Sequence, residues 1–181
     1  MRALNHFLLL LVIATPVRGG WLTEDADIMG TRITVELFHP DPAIAQQGID
    51  TVLQEMRRID TSMSPYIATS ELARLNVEAQ HKAFGVSDEL FALIQRSQYF
   101  SDLTGGAFDI TFASVVFLYD YRNAIKPDDS QRWKAAELIN YHNLILSESG
   151  NSVAFSKPDV RIDLGGIAKG YAVDRCILLL Q

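Results

Sequence analysis

The chain has 181 residues, 48% of them hydrophobic and 21% charged; this is ordinary for one globular domain and excludes intrinsic disorder. Its formal net charge of −6 comes without any basic run, which excludes general nucleic-acid binding. Cys176 is the only cysteine; that excludes an internal disulfide, and its place beside Val173 and Ile177 reads as a small buried hydrophobe rather than a nucleophile.

In chain order, the first signal is residues 7–14 (FLLLLVIA), preceded by Arg2 and followed by Pro16 and the pair Gly19-Gly20. This is the make-up of an export signal over residues 1–20, cleaved near Gly19 or Gly20. The run falls short of the roughly 20 apolar residues a membrane-spanning helix takes, and no cysteine follows it to accept a lipid. Residues 31–38 alternate Ile33, Val35 and Leu37 with polar neighbours, a half-buried strand opened by Met29-Gly30-Thr31. Ile49, Val52, Met56, Ile59 and Met63 then recur at helical spacing, predicting a helix over 43–63 whose solvated face holds Glu55, Arg57, Arg58 and Asp60.

Ser64-Pro65-Tyr66 ends that helix, and Ser70 caps a short turn through Asn76. Ser87 is the expected cap of a second helix running to about Leu103 and closed by Gly105-Gly106. Residues 107–121 read as a strand-like aromatic run, 126–130 as a polar turn and 131–140 as a short helix. Residues 142–147 and 153–156 read as a hairpin around Glu148-Ser149-Gly150-Asn151, and residues 160–163 as a further strand. Strands and helices mix without a βαβ rhythm, so the fold class is α+β.

The stretch Asp163-Leu164-Gly165-Gly166-Ile167-Ala168-Lys169-Gly170-Tyr171-Ala172-Val173-Asp174 is the most informative. Paired glycines let backbone N–H groups approach a ligand closely, and a helix starting at Ala168 aims its free amides at the same point, where a phosphate is stabilised. Lys169 adds a mobile positive charge, and Asp163 an oxygen able to face a metal or a sugar hydroxyl. Taken singly, the parts have plain explanations: Tyr66 and Phe108 as core aromatics, Asp109 as a turn cap, Asp163 as a strand end, Lys169 as a solvated side chain. The glycine stretch is also no Walker loop.

Taken in order, Met29-Gly30-Thr31, Ser64-Pro65-Tyr66, Ser70 with Leu72 and Asn76, Gly105-Gly106-Ala107-Phe108-Asp109-Ile110-Thr111 and the Asp163 stretch resemble the FAD:protein FMN transferase (ApbE-like) family. The resemblance runs from residue 27 to residue 181. It implies an α+β, T-fold-like domain with a mixed or antiparallel sheet and packed helices, apparently truncated at its C-terminus. It implies FAD as substrate, Mg²⁺ as metal, and a target flavoprotein with a Ser/Thr-Gly-Ala-Thr type motif. FMN would pass to the threonine of that motif and AMP would leave; some family members instead hydrolyse FAD to FMN and AMP, and a non-catalytic flavin-nucleotide binding module is a further alternative. Met29, Tyr66, Ala107, Phe108, Asp109, Asp163 and Lys169 match the family's flavin-nucleotide contacts, and Gly166 the position lending a backbone carbonyl to the metal. The family's other metal ligands, an aspartate and a threonine, lie downstream of the Asp-Leu-Gly motif, so this polypeptide by itself is expected to be inactive or nearly so. The expected location is the periplasm, with the membrane reached only by association.

Overall fold

The computed structural model describes residues 19–120 and 123–181. The apolar stretch 7–14 of the expected export signal lies outside the described residues, as does Tyr121 of the aromatic run. Two antiparallel strands open the described chain, β1 (Gly20–Ile28) and β2 (Thr31–His39), paired in full register from Gly20 opposite His39 to Ile28 opposite Thr31. Only Met29 and Gly30 are left for the turn, and both have positive φ, 56° and 70°. That is the backbone of a type I′ hairpin turn, whose twist matches that of the strands it joins. Met29-Gly30-Thr31 therefore closes a hairpin rather than opening the first strand. β1 escaped the sequence reading because Glu24 interrupts its inward row of Leu22, Ala26 and Ile28; the carboxylate is accommodated by a 3.3 Å hydrogen bond from Gln46.

Gly30 faces open space, so a methyl group there would meet nothing. Gly30→Ala is nevertheless expected to destabilise the fold by about 1–2 kcal/mol, because the cost is in the left-handed backbone. For a chain of this size that lowers the melting temperature by about 2–4 °C per kcal/mol, whereas Gly30→Asn should change it little. Equal melts for the alanine and asparagine variants would contradict this account of the turn.

The long helix α1 (Pro42–Met63) buries Ile49, Val52, Leu53, Met56, Ile59 and Met63 and is capped by the Asp41 carboxylate on the Ala43 N–H. α2 (Glu71–Glu78) starts at the Ser70 cap, and α3 (Asp88–Leu103) runs from the Ser87 cap to Gly105 and Gly106, both at positive φ. β3 (Phe84–Gly85), β4 (Leu144–Ser147) and β5 (Ser152–Phe155) form a small antiparallel sheet in the order β3-β5-β4, with the expected hairpin between β4 and β5. α6 (Ala168–Leu179) begins where the glycine turn predicts and packs along α1. The class is α+β, as the sequence reading expects.

Three elements differ from that reading. The described part of that run, 107–120, holds no ladder strand; it is a 3₁₀ turn, Ile110–Phe112, leading into the short helix α4 (Ala113–Val116). Asp109 decides this, since its Oδ1 accepts from both the Thr111 N–H and the Thr111 hydroxyl and so tightens the chain into a turn. α5 covers Asp129–Ala136 rather than 131–140: Asp128 and Gln131 form a capping box at its start, and Asn140 caps a separate 3₁₀ turn, Tyr141–Asn143.

Residues 160–163 also form no strand. Buried backbone must still find partners, and side chains provide them. Asn76 donates from Nδ2 to the Ile162 carbonyl at 2.9 Å and accepts the Ile162 N–H at 2.8 Å. Ser114 Oγ accepts the Arg161 N–H, and the Asp163 N–H reaches the Ile110 carbonyl.

A polar cluster fastens α6 to the helices beside it. Arg58 bonds both oxygens of Glu55 and both of Glu89, Arg175 reaches Glu55 at 3.3 Å, and the Tyr171 hydroxyl donates to Glu89 at 2.6 Å. Glu55 is therefore buried rather than on a solvated face, because α6 brings Arg175 over it. The hydrogen bonds from Arg58 hold the Glu55 and Glu89 carboxyls below their ordinary value of 4.5. Burial, then the bond to Glu89, pushes the Tyr171 phenol up to about 12.

Carboxyls with depressed folded-state values bind fewer protons folded than unfolded at acid pH. Their stabilisation is complete above 4.5 and is lost as the pH falls through the folded values. Glu89→Gln should therefore flatten the acid limb of the melting-temperature profile below about pH 4.5. Parallel acid limbs for the two proteins would contradict it.

Candidate functional site

The polar end of the fold gathers three turns around one cleft of about 280 Å³, lined by residues including Met29, Gly30, Tyr66, Asp163, Gly165 and Lys169. The hairpin turn delivers Met29, the break after α1 delivers Ser64, Pro65 and Tyr66, and the segment clamped by Asn76 delivers Asp163 at the foot of α6. Asp163 is buried, and its Oδ1 accepts the Gly165 N–H at 2.6 Å. A methyl group on Gly165 would sit 3.0 Å from that same oxygen, so a larger residue there would press on the Asp163 carboxylate.

The first turn of α6 is open for a ligand. Ile167 occupies its cap position and offers no side-chain acceptor, while the N–H groups of Lys169 and Gly170 find no backbone acceptor among the described residues. Lys169 is exposed, and among the described residues its ammonium meets only the Gly165 carbonyl, at 3.4 Å. Unpartnered amides, a helix N-terminus and a mobile cation at one point favour a phosphate. Tyr66 is no core aromatic: it is 70% exposed and lies parallel to the Phe117 ring, with centroids 5.5 Å apart and planes at 12°.

Met29, Tyr66, Asp163 and Lys169 thus come together, whereas Ala107, Phe108 and Asp109 do not line that cleft. They flank the glycine turn from its other side, where the Phe108 ring comes within 3.1 Å of the place a Gly166 methyl would take. Both Asp109 oxygens are engaged, Oδ1 with Thr111 and Oδ2 with the Tyr141 N–H at 2.8 Å. Asp109 therefore shapes this turn, and Ala107 is exposed beside it.

The order of these turns is shared with known proteins. The sequence profile of the ApbE family matches residues 29–181. The chain belongs to the ApbE family. Similar curated ApbE relatives are each named FAD:protein FMN transferase. The one from Vibrio cholerae is 29% identical over 155 residues, 81% of this chain and 45% of its own length. The one from Klebsiella pneumoniae is 30% identical over 152 residues, 83% of this chain and 47% of its own. Two solved structures are similar in shape. The crystal structure of the ApbE protein of Thermotoga maritima superposes with a TM-score of 0.82 at 27% identity, covering 89% of this chain and 52% of that one. The flavin transferase ApbE of Vibrio cholerae gives 0.78 at 25% identity, covering 90% and 54%. This chain spans about half the length of the ApbE proteins it matches.

The ApbE motifs also sort into cleft-lining and supporting residues. Asn76 and Tyr171 bond within the protein, to Ile162 and Glu89. Asp60 faces the cleft from the last turn of α1, although its spacing on the helix suggested a solvated residue; no motif marked it. Among the described residues no group of three or more histidine, cysteine, aspartate or glutamate side chains stands where it could hold a metal ion. Mg²⁺ takes about six oxygens, so the Gly166 carbonyl and one neighbouring carboxylate do not by themselves make its site.

Proposed function

We propose that this chain carries the nucleotide-binding half of a FAD:protein FMN transferase. FAD binds with its diphosphate at the start of α6, and FMN passes through a phosphoester to a threonine of a target flavoprotein bearing a Ser/Thr-Gly-Ala-Thr type motif. The threonine hydroxyl oxygen bonds to the FMN phosphorus, the bond from that phosphorus to the bridging oxygen breaks, AMP leaves with that oxygen, and the hydroxyl proton passes to the departing phosphate or to solvent. One observation carries the reading: Asp163, Lys169, Met29 and Tyr66 converge on a single cleft at an uncapped helix start. The names of the relatives support it.

In this reading the α6 amides and Lys169 offset phosphate charge, Asp163 accepts from a ligand hydroxyl or ring N–H, and Tyr66 and Met29 pack on a flat heterocycle. Mg²⁺ belongs to the proposal as well: the Gly166 carbonyl would be one of the groups holding it, and the ion would offset charge on the diphosphate. So does export to the periplasm, resting on the stretch 7–14; among the described residues no helix is long and apolar enough to cross a membrane.

The test is to incubate the protein with FAD, Mg²⁺ and a peptide containing Ser-Gly-Ala-Thr, then denature and separate. Flavin that stays on the peptide supports transfer, and saturable FAD binding with no turnover supports the nucleotide-binding part of the reading alone. Free FMN and AMP without labelled peptide would replace transfer by hydrolysis, and the absence of saturable FAD binding would overturn the proposal.

A further inference from the structure

A second cavity, of about 730 Å³, opens between α4, α5 and the segment leading to Arg161. α5 and the residues after it present Gln131, Lys134, Ala135 and Leu138 to it, the spacing of one helical face. Phe117, Leu118 and Pro158 supply apolar floor, and Lys134, Lys157 and Arg161 supply cations. None of these three cations takes part in an ion pair among the described residues. Glu137 and Asp159 line the cavity too, so its excess is a single positive charge.

The cavity shares a wall with the nucleotide cleft. The Arg161 guanidinium lies 5.2 Å from the centroid of Phe117, and Phe117 stacks on Tyr66, which lines the cleft. Arg161 and Asp163 stand two residues apart on the same clamped segment, one lining each space.

We propose that this cavity docks the acceptor polypeptide, through a segment carrying one or two acidic side chains among aliphatic ones. The inference rests on the transfer reading, in which a second, protein substrate must bring a hydroxyl to the nucleotide. The stacked rings of Phe117 and Tyr66 separate the cavity from the cleft, and its volume lies in the range of ligand pockets. Its open cations favour carboxylates, while Phe117, Leu118 and Leu138 favour an aliphatic side chain. The small charge excess, with Glu137 and Asp159 at hand, disfavours a polyacidic tract.

The experiment uses dye-labelled dodecapeptides with a central Ser-Gly-Ala-Thr, flanked by Asp and Leu in one and by Lys and Leu in the other. Binding is followed by fluorescence anisotropy without FAD, for the full chain and for the double variant K134E/K157E. The acidic peptide should bind the unaltered chain more tightly than the basic one, and weaken with salt. The double variant should lose about tenfold in affinity for it, while its Kd for FAD changes less than about twofold. Equal binding of the two peptides, or an unchanged Kd in the double variant, overturns the docking proposal. Failure of the chain to bind FAD would instead overturn the transfer reading, because the peptide measurement does not depend on it.

Discussion

Asn76→Ala is expected to destabilise the protein by about 2–5 kcal/mol in urea denaturation. The substitution leaves the Ile162 N–H and carbonyl without the partners they have at 2.8 and 2.9 Å. An unsatisfied buried group costs about 1–3 kcal/mol, and the vacated amide adds a small cavity. Ile162 is fully buried, so water does not reach those groups in the folded chain. The same variant should bind FAD more weakly, because the segment that Asn76 clamps leads directly into Asp163 and the glycine turn. A loss below about 0.5 kcal/mol, the usual effect at a surface position, would show that the clamp contributes little.

Lys169→Ala has the opposite profile. Among the described residues its ammonium has only the 3.4 Å contact with Gly165 to lose, so the melt should stay within about 0.5 kcal/mol of the parent. Affinity for FAD should fall about 10- to 100-fold, the value of a hydrogen bond to a charged group, and added salt should narrow the gap between the two proteins. Asp163→Ala, by contrast, should lower both, because it removes the acceptor of the Gly165 N–H as well as a ligand contact. A Lys169 variant that melts early and binds normally would make that lysine part of the scaffold.

Local chemistry made the helices and caps legible. Ser70 and Ser87 hold the caps their positions suggest, and the apolar spacing from Ile49 to Met63 lies on the buried face of α1. The hairpin of β4 and β5 could be read for the same reason, since alternation and turn residues lie within a few positions of each other. Two of the failures depended on partners distant in sequence. Residues 160–163 carry a strand's pattern, yet their peptide groups bond to Asn76, Ser114 and Ile110. Glu55 looks solvated until Arg175, 120 residues away, closes over it.

The site divides in the same way. Motif order identified Met29, Tyr66, Asp163 and Lys169, and the fold brings them to one cleft. The motif could not show that Met29 sits in a hairpin turn at positive φ, or that both Asp109 oxygens are already held. Asp60 gave no signal at all, because a carboxylate at the end of an amphipathic helix looks the same whether it meets solvent or a ligand.

Whether the start of α6 holds the diphosphate of FAD is decided by a crystal structure of the protein soaked with FAD. The diphosphate should lie against the first turn of α6, with the Lys169 ammonium within about 3–4 Å of a phosphate oxygen and Tyr66 beside a ring of the ligand. Density for FAD away from that turn, with Lys169 still extended into solvent, would contradict it.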